Sequence, residues 1–186
     1  MVRDVMIKES ISIPAGVEVS CEGMKVRVKG PKGEVIRDFS NVKGIKLLLS
    51  GDKLVVYSFF TNRRIKSLTY TVVAHIKNMI DGVTRGYRYK LKIVFSHFPV
   101  TVRVEGDKVL IENFLGERSP RIAKIRGNLK VYVKGEDIIV EGVDIEDVAQ
   151  TAANIEKVTK IRELDRRVFN DGIFIYERGY ADGEQG

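Results

Sequence analysis

The 186-residue sequence has little of what disulfide bonding, export or membrane insertion requires. Its single cysteine, Cys21, excludes an internal disulfide, and the alternating pattern around it predicts a buried small hydrophobic residue instead of a reactive thiol. There is no apolar run of about 18 residues that could span a bilayer. The opening, MVRDVMIKES, has charges spread through it and lacks the apolar centre of a signal sequence. We therefore expect a cytoplasmic protein.

Residues suited to catalysis are also scarce. Only two histidines are present, and neither His75 nor His97 has a serine, cysteine or acid at a recognisable nucleophile spacing. The sequence contains no H-x-x-x-H or C-x-x-C motif and no carboxylate cluster typical of a metal site. The stretch 30–33, GPKG, lacks the spacing of a phosphate-binding loop and predicts a hairpin turn. We predict no active site, metal or cofactor.

Positive charge, by contrast, is in excess. Thirty-two lysines and arginines stand against 25 acidic residues, which gives a formal net charge of +7 and a pI near 9.4. With 44% hydrophobic and 31% charged residues, the composition is typical of a folded globular protein. A basic folded protein favours an anionic partner, and the positions of its cations indicate which kind.

The chain contains an internal repeat. The segments 17–34 and 100–117 align without a gap at an offset of 83 residues and share eight identities in eighteen positions. A second match, GDKLVV at 51–56 against GEDIIV at 135–140, follows at an offset of 84. Two gap-free matches in the same order indicate a duplication.

Each copy has the pattern of several antiparallel strands followed by one amphipathic helix. Apolar residues recur at three- and four-residue spacing from Ile65 to Ile80 and from Ile145 to Val158. This pattern predicts an α+β fold of two duplicated domains, in each of which antiparallel strands pack with one helix. We place an N-terminal repeat at 1–82, a C-terminal repeat at 83–178 and a disordered tail at 179–186. The predicted hairpin turns are Glu22-Gly23, Pro31 to Gly33 and Ser50 to Asp52 in the first copy, and Glu105-Gly106, Leu115-Gly116 and Gly135 to Asp137 in the second.

The two predicted helices begin with opposite charge. The second begins at Asp144 and continues with Glu146 and Asp147, acids that complement the positive end of a helix. The first places Arg63 and Arg64 at that end, at a cost of about 0.3–1 kcal/mol per exposed charge. A bound anion would offset this cost. Two arginines that point into solvent are the alternative.

Two basic stretches in the second half contain no acid. They are TRGYRYKLKIVFSH at 84–97 and RSPRIAKIRGNLKVYVK at 118–134. Cations interleaved with aromatic rings are typical of RNA-binding surfaces, because they serve phosphates and exposed bases. An ordinary solvated sheet face is the alternative. Strand geometry places Arg88, Lys90 and Lys92 on one face of the first stretch. It places Lys130, Tyr132 and Lys134 on one face of the second.

A third basic stretch follows the second helix at 157–180, KVTKIRELDRRVFNDGIFIYERGY. Arg166 and Arg167 lie close to Phe169, and the dipeptide Asp171-Gly172 precedes an apolar run. An Asp-Gly pair here predicts a tight turn that re-enters a sheet and holds the arginines and the phenylalanine on an exposed projection. Such a projection suits a phosphate backbone next to an unstacked base. A hairpin with solvated arginines is the alternative.

These features together resemble a known family. The duplicated unit, the opening ISIPAGVEV at 11–19 and the ending RRVFNDGIFIYE at 166–177 resemble the large-subunit ribosomal protein six family (universal ribosomal protein six), in its archaeal and eukaryotic branch. The resemblance covers residues 1–180, and its most specific part is 167–173. Phe174 stands where the family leads us to expect tyrosine, which predicts a packed ring, and Leu164 stands where we expect a basic residue.

The resemblance implies a non-enzymatic structural constituent of the large ribosomal subunit in the cytoplasm. Its second domain would bind large-subunit rRNA near the stalk base and the factor-binding region that includes the sarcin–ricin loop, with ribosomal proteins of the stalk base and translation factors nearby. The implied rRNA contacts are Lys157, Lys160, Arg162, Arg166, Arg167, Phe169, Asn170 and Gly172. Charge alone adds Arg118, Arg121, Lys124 and Arg126.

Two other functions are compatible with the residues. A free RNA-binding or ribosome-assembly factor would use the same basic surface. An acid–base enzyme on an α+β scaffold would need a ligand-sized apolar pocket that contains His97 or clustered carboxylates.

Overall fold

A computed structural model describes residues 6–59, 62–162, 165 and 167–183. The chain divides into two compact units, Met1–Arg85 and Gly86–Gly186. Each consists of antiparallel strands and one α-helix, so the predicted α+β class with a duplicated domain is confirmed. Among the described residues no helix is long and apolar enough to span a bilayer.

In the first unit the described residues form two three-stranded antiparallel sheets and helix α1. The sheets have the strand orders β1-β6-β5 and β2-β3-β4. Hairpins at the predicted turns join β2 to β3, β3 to β4 and β5 to β6. The elements are β1 (Met6–Ser12), β2 (Glu18–Glu22), β3 (Lys25–Gly30), β4 (Gly33–Asp38), β5 (Lys46–Ser50), β6 (Lys53–Phe59) and α1 (Arg63–Thr84).

Helix α1 packs its apolar face on strands of both sheets. The helix buries Ile76 and Val83 completely, as its three- and four-residue periodicity predicts. At its end the helix approaches β3 so closely that a Cβ on Gly30 would lie 2.8 Å from Cγ2 and 2.9 Å from the carbonyl oxygen of Val83. The buried hydroxyls of Ser58 and Thr69, 3.3 Å apart, add a polar tie between β6 and the helix. The first core therefore lies between α1 and the sheets.

Two local predictions for the first unit can be compared with the structure. Asn62 caps α1 by accepting a hydrogen bond from the Ile65 amide at 2.8 Å, and the exposed Arg63 and Arg64 follow with no acid in the first turn. Cys21 is half-buried, whereas the sequence predicted a buried side chain. Burial still raises the pKa of the Cys21 thiol, which disfavours the reactive thiolate.

In the second unit the described residues form a three-stranded sheet, a four-stranded sheet and helix α2. The strand orders are β10-β9-β8 and β11-β12-β7-β13. Helix α2 packs on β7, β10, β12 and β13 and encloses a core that includes the fully buried Leu91, Ile155 and Ile173. The elements are β7 (Tyr87–Val94), β8 (Thr101–Glu105), β9 (Lys108–Glu112), a 3-10 turn (Phe114–Gly116), β10 (Arg121–Lys124), β11 (Lys130–Lys134), β12 (Asp137–Gly142), α2 (Ile145–Val158) and β13 (Gly172–Tyr180).

Candidate nucleic-acid interface

A short cationic segment follows helix α2, and we call residues 157–162 the ridge. Thr159 and Ile161 are buried and fix the ridge to the second unit. The Thr159 hydroxyl accepts a hydrogen bond from the Ile173 amide of β13 at 3.0 Å. The side chains that the ridge exposes are those of Lys157, Lys160 and Arg162.

Two clefts share the ridge as a wall. They have volumes of about 730 Å³ and about 690 Å³, and all three exposed ridge cations line both. The larger cleft continues to Phe169, Asn170 and Phe174. The smaller cleft continues to Glu117 and Arg121. The ridge therefore presents its positive charge on two concave surfaces.

The three ridge cations are available to an outside anion. Within the described ranges, Lys157, Lys160 and Arg162 make no ion pair and no side-chain hydrogen bond. A long cationic side chain without a partner keeps its charge for a ligand. These three sequence-predicted contacts are brought together by the fold.

A second group of predicted contacts lies on the arm, which we define as residues 167–171. The arm begins with a turn, in which the Asp165 carbonyl accepts hydrogen bonds from the amides of Val168 at 3.0 Å and Phe169 at 2.9 Å. Arg167 and Asn170 are exposed, while the half-buried Phe169 ring lies 4.7 Å from the His97 ring. Arg166 and Leu164 lie outside the described residues.

The predicted turn at Asp171-Gly172 is wrong. Gly172 is buried as the first residue of β13, where it pairs with Val94, and the chain turns earlier, at 167–168. Asp171 is buried as well, and its Oδ1 accepts hydrogen bonds from the Ser96 amide at 3.0 Å and the Ser96 hydroxyl at 2.7 Å. Gly172 is thus not exposed as a contact, and Asp171 anchors the arm.

The protonation of Asp171 fits this anchoring role. Burial raises the pKa of the Asp171 carboxyl, but the hydrogen bonds from Ser96 and His97 together outweigh burial and leave that pKa below its ordinary value. Its second oxygen, Oδ2, is buried without a hydrogen-bond partner among the described residues. The ionised carboxylate therefore depends on Ser96, which sequence analysis missed, because nothing in the sequence near Ser96 indicates a partner 75 residues away.

Phe174 differs from expectation too. Its ring covers Gly172, where an added Cβ would lie 2.8 Å from Cζ of the phenylalanine. It is nevertheless 38% exposed and lines the larger cleft, so the ring that was predicted to be packed is packed on one side only. Glycine at 172 explains both observations, since it leaves room for the ring to lie along the strand at the surface.

The four cations predicted on charge alone fall into two groups. Arg118 and Lys124 are exposed and have no ion pair within the described ranges. Arg126 pairs with Asp147 at 2.9 Å. Arg121 is held on three sides: by both carboxylate oxygens of Glu117, by the Val158 carbonyl at 2.7 Å, and by the Phe114 ring, 4.4 Å below its guanidinium. Arg121 therefore connects the 3-10 turn to the end of α2.

The two predicted basic strand faces do not form isolated cationic surfaces. Strand β7 lies inside the four-stranded sheet, and acids on its neighbours β12 and β13 pair with its cations. The Tyr132 hydroxyl on β11 also donates to a Glu141 oxygen at 3.0 Å. The cations of the first acid-free stretch are thus paired with acids across strands, whereas Lys130 and Lys134 on β11 have no ion pair within the described ranges. The pairs are Arg88–Glu141 at 2.5 Å, Lys90–Glu177 at 3.3 Å, and Lys92 with Glu136 at 3.3 Å and Asp137 at 3.4 Å.

Neither histidine lies in a cleft suited to acid–base chemistry. The His97 ring packs against Phe169 at a tilt of 32°, and its Nδ1 lies 2.9 Å from the Ser96 hydroxyl and 3.6 Å from Asp171 Oδ1. His97 is absent from the lining of both clefts, and the His75 ring lies 6.3 Å from Phe39 in the first unit. In the part of the chain that the structure describes, no group of three or more His, Cys, Asp or Glu side chains could hold a metal ion. Both histidines have aromatic neighbours, which is typical of a packing role.

Comparison with known proteins identifies the family. The model of the family described as ribosomal protein L6 matches twice, at residues 13–86 and 98–172, in agreement with the duplication. The large ribosomal subunit protein uL6 of Ignicoccus hospitalis is 58% identical over 182 residues, covering 96% of this chain and 98% of its own length. The uL6 proteins of Aeropyrum pernix and Sulfurisphaera tokodaii are 56% and 55% identical, over 96% and 98% of this chain and 98% of each relative. The chain belongs to the ribosomal protein L6 family, in its archaeal branch.

Proposed function

We propose that the protein is a non-enzymatic, structural constituent of the large ribosomal subunit in the cytoplasm and that it binds large-subunit rRNA. Its relatives are named as large-subunit proteins, and their similarity extends over nearly the whole chain. One observation supports the RNA site most directly: the ridge cations, which have no ion pair among the described residues, line two adjoining clefts.

The chemistry of the ridge and the arm suits a folded RNA. Lys157, Lys160 and Arg162 neutralise phosphates and release counterions, and the planar guanidinium can fork to two phosphate oxygens. Arg167 adds a further cation beside the larger cleft, and Asn170 offers an amide that can both donate and accept hydrogen bonds at a base edge. The contacts are thus dominated by charge, with shape and base recognition secondary.

The proposed rRNA contacts lie in the second of the two repeats. We assign rRNA binding to the repeat at 83–178, with the ridge and the arm. The resemblance to the family further implies a position near the stalk base and the factor-binding region that includes the sarcin–ricin loop, beside other ribosomal proteins. Arg118 and Lys124, both exposed and without ion pairs in the described ranges, are additional contact candidates.

The test compares two double variants that remove the same charge. Lys157→Ala with Arg162→Ala removes ridge cations, whereas the control, Lys108→Ala with Lys134→Ala, removes exposed lysines from strands β9 and β11. Affinity for in vitro transcribed large-subunit rRNA is measured at several salt concentrations. The ridge variant should bind more weakly, and the slope of log affinity against log salt should fall by about 0.7–0.9 per lost contact. The control should keep the wild-type slope.

Equal slopes for the two double variants would exclude the ridge as the contact. Sedimentation of cell lysate then tests the assignment to the ribosome: a structural constituent stays with large subunits washed at high salt. Recovery in the free-protein fractions would identify a separate RNA-binding or assembly factor.

A further inference from the structure

The two units repeat one strand pair in the same register. On β1 and β6, Ile11 pairs with Leu54, just as Leu91 pairs with Ile138 on β7 and β12. The amide of Ile13 donates to the Asp52 carbonyl at 2.8 Å, and in the second unit the equivalent bond from Ile93 to Glu136 has the same length. Strands β1 and β7 thus hold the same place in their sheets, at an offset of 80 residues.

The free edge of this strand is occupied in one unit and open in the other. In the second unit β13 pairs antiparallel with the side of β7 that faces away from β12. In the first unit the sheet order ends at β1, and no described strand pairs with its outer side. Since Ile13 and Ile11 bond inward to β6, the backbone N–H and C=O groups of Lys8, Ser10 and Ser12 point outward. They are available to another strand.

The sheet face beside this open edge is apolar. Phe59, Met6 and Leu48, on the face that points away from α1, are 49%, 49% and 54% exposed. Tyr57 lies on the same face, and its ring meets the Phe59 ring edge-on at 5.6 Å. Met6 on β1 and Phe59 on the adjacent β6 place large exposed side chains next to the open strand edge, which marks an interaction surface.

The charge on this face has one sign. Lys8, Lys46 and Lys53 share the face with the apolar group, and within the described ranges they have no ion pair. In the second unit, the positions equivalent to Tyr57 and Lys53 are Glu141 and Asp137, which pair with cations of β7. The first unit has tyrosine and lysine where the second has these two acids, so negative charge on this face would be supplied by a partner.

We propose that the outer edge of β1 binds an extended, acidic segment of a partner protein as a fourth antiparallel strand. Strand β13 is the template: its Ile173 and Ile175 point toward the core, while Glu177 on the other face pairs with Lys90 at 3.3 Å. The occupant places apolar side chains toward α1 and acids beside Lys8, the lysine on the neighbouring strand β1, while Lys53 and Lys46 lie one and two strands further away on the same positively charged face. Main-chain hydrogen bonds provide the affinity, and charge selects the partner.

The test uses the full chain and a synthetic nine-residue peptide that copies β13, GIFIYERGY, with Gly179→Glu. Gly179 pairs with Arg88, the equivalent of Lys8, so the new acid would face Lys8. Binding is followed by NMR through the amide shifts and the hydrogen exchange of Lys8, Ser10 and Ser12. Saturable shifts and slower exchange at these amides are expected.

Variants separate strand pairing from charge attraction. Ser10→Pro removes an N–H that points away from β6 and leaves the β1–β6 ladder intact, so we expect a loss of affinity of about tenfold or more. Ser10→Ala keeps the N–H and should bind like the wild type. Lys8→Glu should weaken binding about two- to fivefold, and less at high salt. If Ser10→Pro fails to fold, Ser12→Pro is used in its place, because the Ser12 N–H also points away from β6.

Three results would overturn the proposal. The first is unchanged amides at Lys8, Ser10 and Ser12 at millimolar peptide, and the second is equal peptide affinity in Ser10→Pro and Ser10→Ala. The third is a different occupant. If an RNA oligonucleotide binds in a way that requires Lys8 but tolerates Ser10→Pro, the face is an RNA site. If the protein does not bind the peptide but forms concentration-dependent dimers that Ser10→Pro abolishes, the occupant is a second copy of the chain. Because the ridge is unchanged in all these variants, the rRNA proposal stands or falls separately.

Discussion

Replacing Arg121 with alanine should destabilise the second unit without removing an RNA contact. The guanidinium joins the 3-10 turn to the end of α2, because it bonds both Glu117 oxygens and the Val158 carbonyl while it lies over Phe114. Alanine leaves the Val158 carbonyl without this donor and Glu117 without its partner. Arg121 was predicted to contact RNA from its charge alone, whereas the contacts of its guanidinium in the structure indicate a structural role.

The size of the effect follows from these contacts. A hydrogen bond that involves a charged group contributes about 1.5–3 kcal/mol, and a cation over an aromatic ring adds about 0.5–2 kcal/mol. The Arg121 side chain is only 24% exposed, so solvent screens it less than a surface pair. These contributions are not additive, and we expect a loss of about 2–4 kcal/mol in the free energy of unfolding. Arg121→Lys should recover less than half of it, because an ammonium cannot fork to two oxygens.

The assay is urea unfolding with amide exchange in β10 and α2 as the reporter of the second unit, and Arg118→Ala is the exposed control.

The hydrogen bond from Arg121 holds the pKa of the Glu117 carboxyl below its ordinary value. A depressed folded pKa gives stability that is present above the unfolded pKa of about 4.3 and is lost as pH falls through the folded pKa. The difference between wild type and Arg121→Ala should therefore shrink below about pH 4. Weaker rRNA binding by Arg121→Ala, with the stability of Arg118→Ala, would refute the structural role.

Two further predictions concern a close contact and a buried carboxylate. Gly30→Ala should destabilise the first unit by about 1–3 kcal/mol in urea unfolding, because its Cβ would meet the Val83 carbonyl, whereas Gly179→Ala, with nothing within 4 Å, should change stability by less than about 0.5 kcal/mol. Asp171→Ala should destabilise the second unit by about 1.5–3 kcal/mol at neutral pH through the lost bonds to Ser96. Since the folded pKa of Asp171 is depressed, this difference should fade as acid protonates the wild-type carboxylate.

The fold class could be predicted from sequence because its signals are local and occur twice. Hairpin turns and helical periodicity lie within short windows, and Asp144 caps α2 as expected by accepting the Glu146 amide at 2.8 Å. The pairing of β13 with β7 could not be predicted in this way. It joins Ile173 to Ile93 across a long stretch of chain, and the Asp-Gly pair before it has the local signature of a turn. Tertiary burial of Asp171 overrode that signature.

The candidate site was predictable in its charges and not in their pairing. The exposed cations of the ridge can be recognised from the sequence, because the stretch from Lys157 to Arg162 contains no acidic residue. The neutralisation of Arg88 depends on Glu141, which is 53 residues away along the chain and becomes a neighbour only through sheet register. A window of sequence shows which residues are charged, whereas register decides which charges remain for a ligand.

The same rule explains how one duplicated unit can serve two kinds of partner. At equivalent places on the strand pair, the second unit has Glu141 where the first has Tyr57. The second unit therefore pairs the cations of β7 with acids, whereas Lys8 and Lys53 of the first unit have no ion pair among the described residues. The second unit also uses β13 to close its sheet edge, and the chain that leads into β13 is the ridge and the arm. Closing the edge therefore also fixes the cationic segment on which rRNA binding is proposed. The first unit lacks that segment, keeps its edge open and keeps its lysines unpaired within the described ranges, a combination suited to an acidic strand.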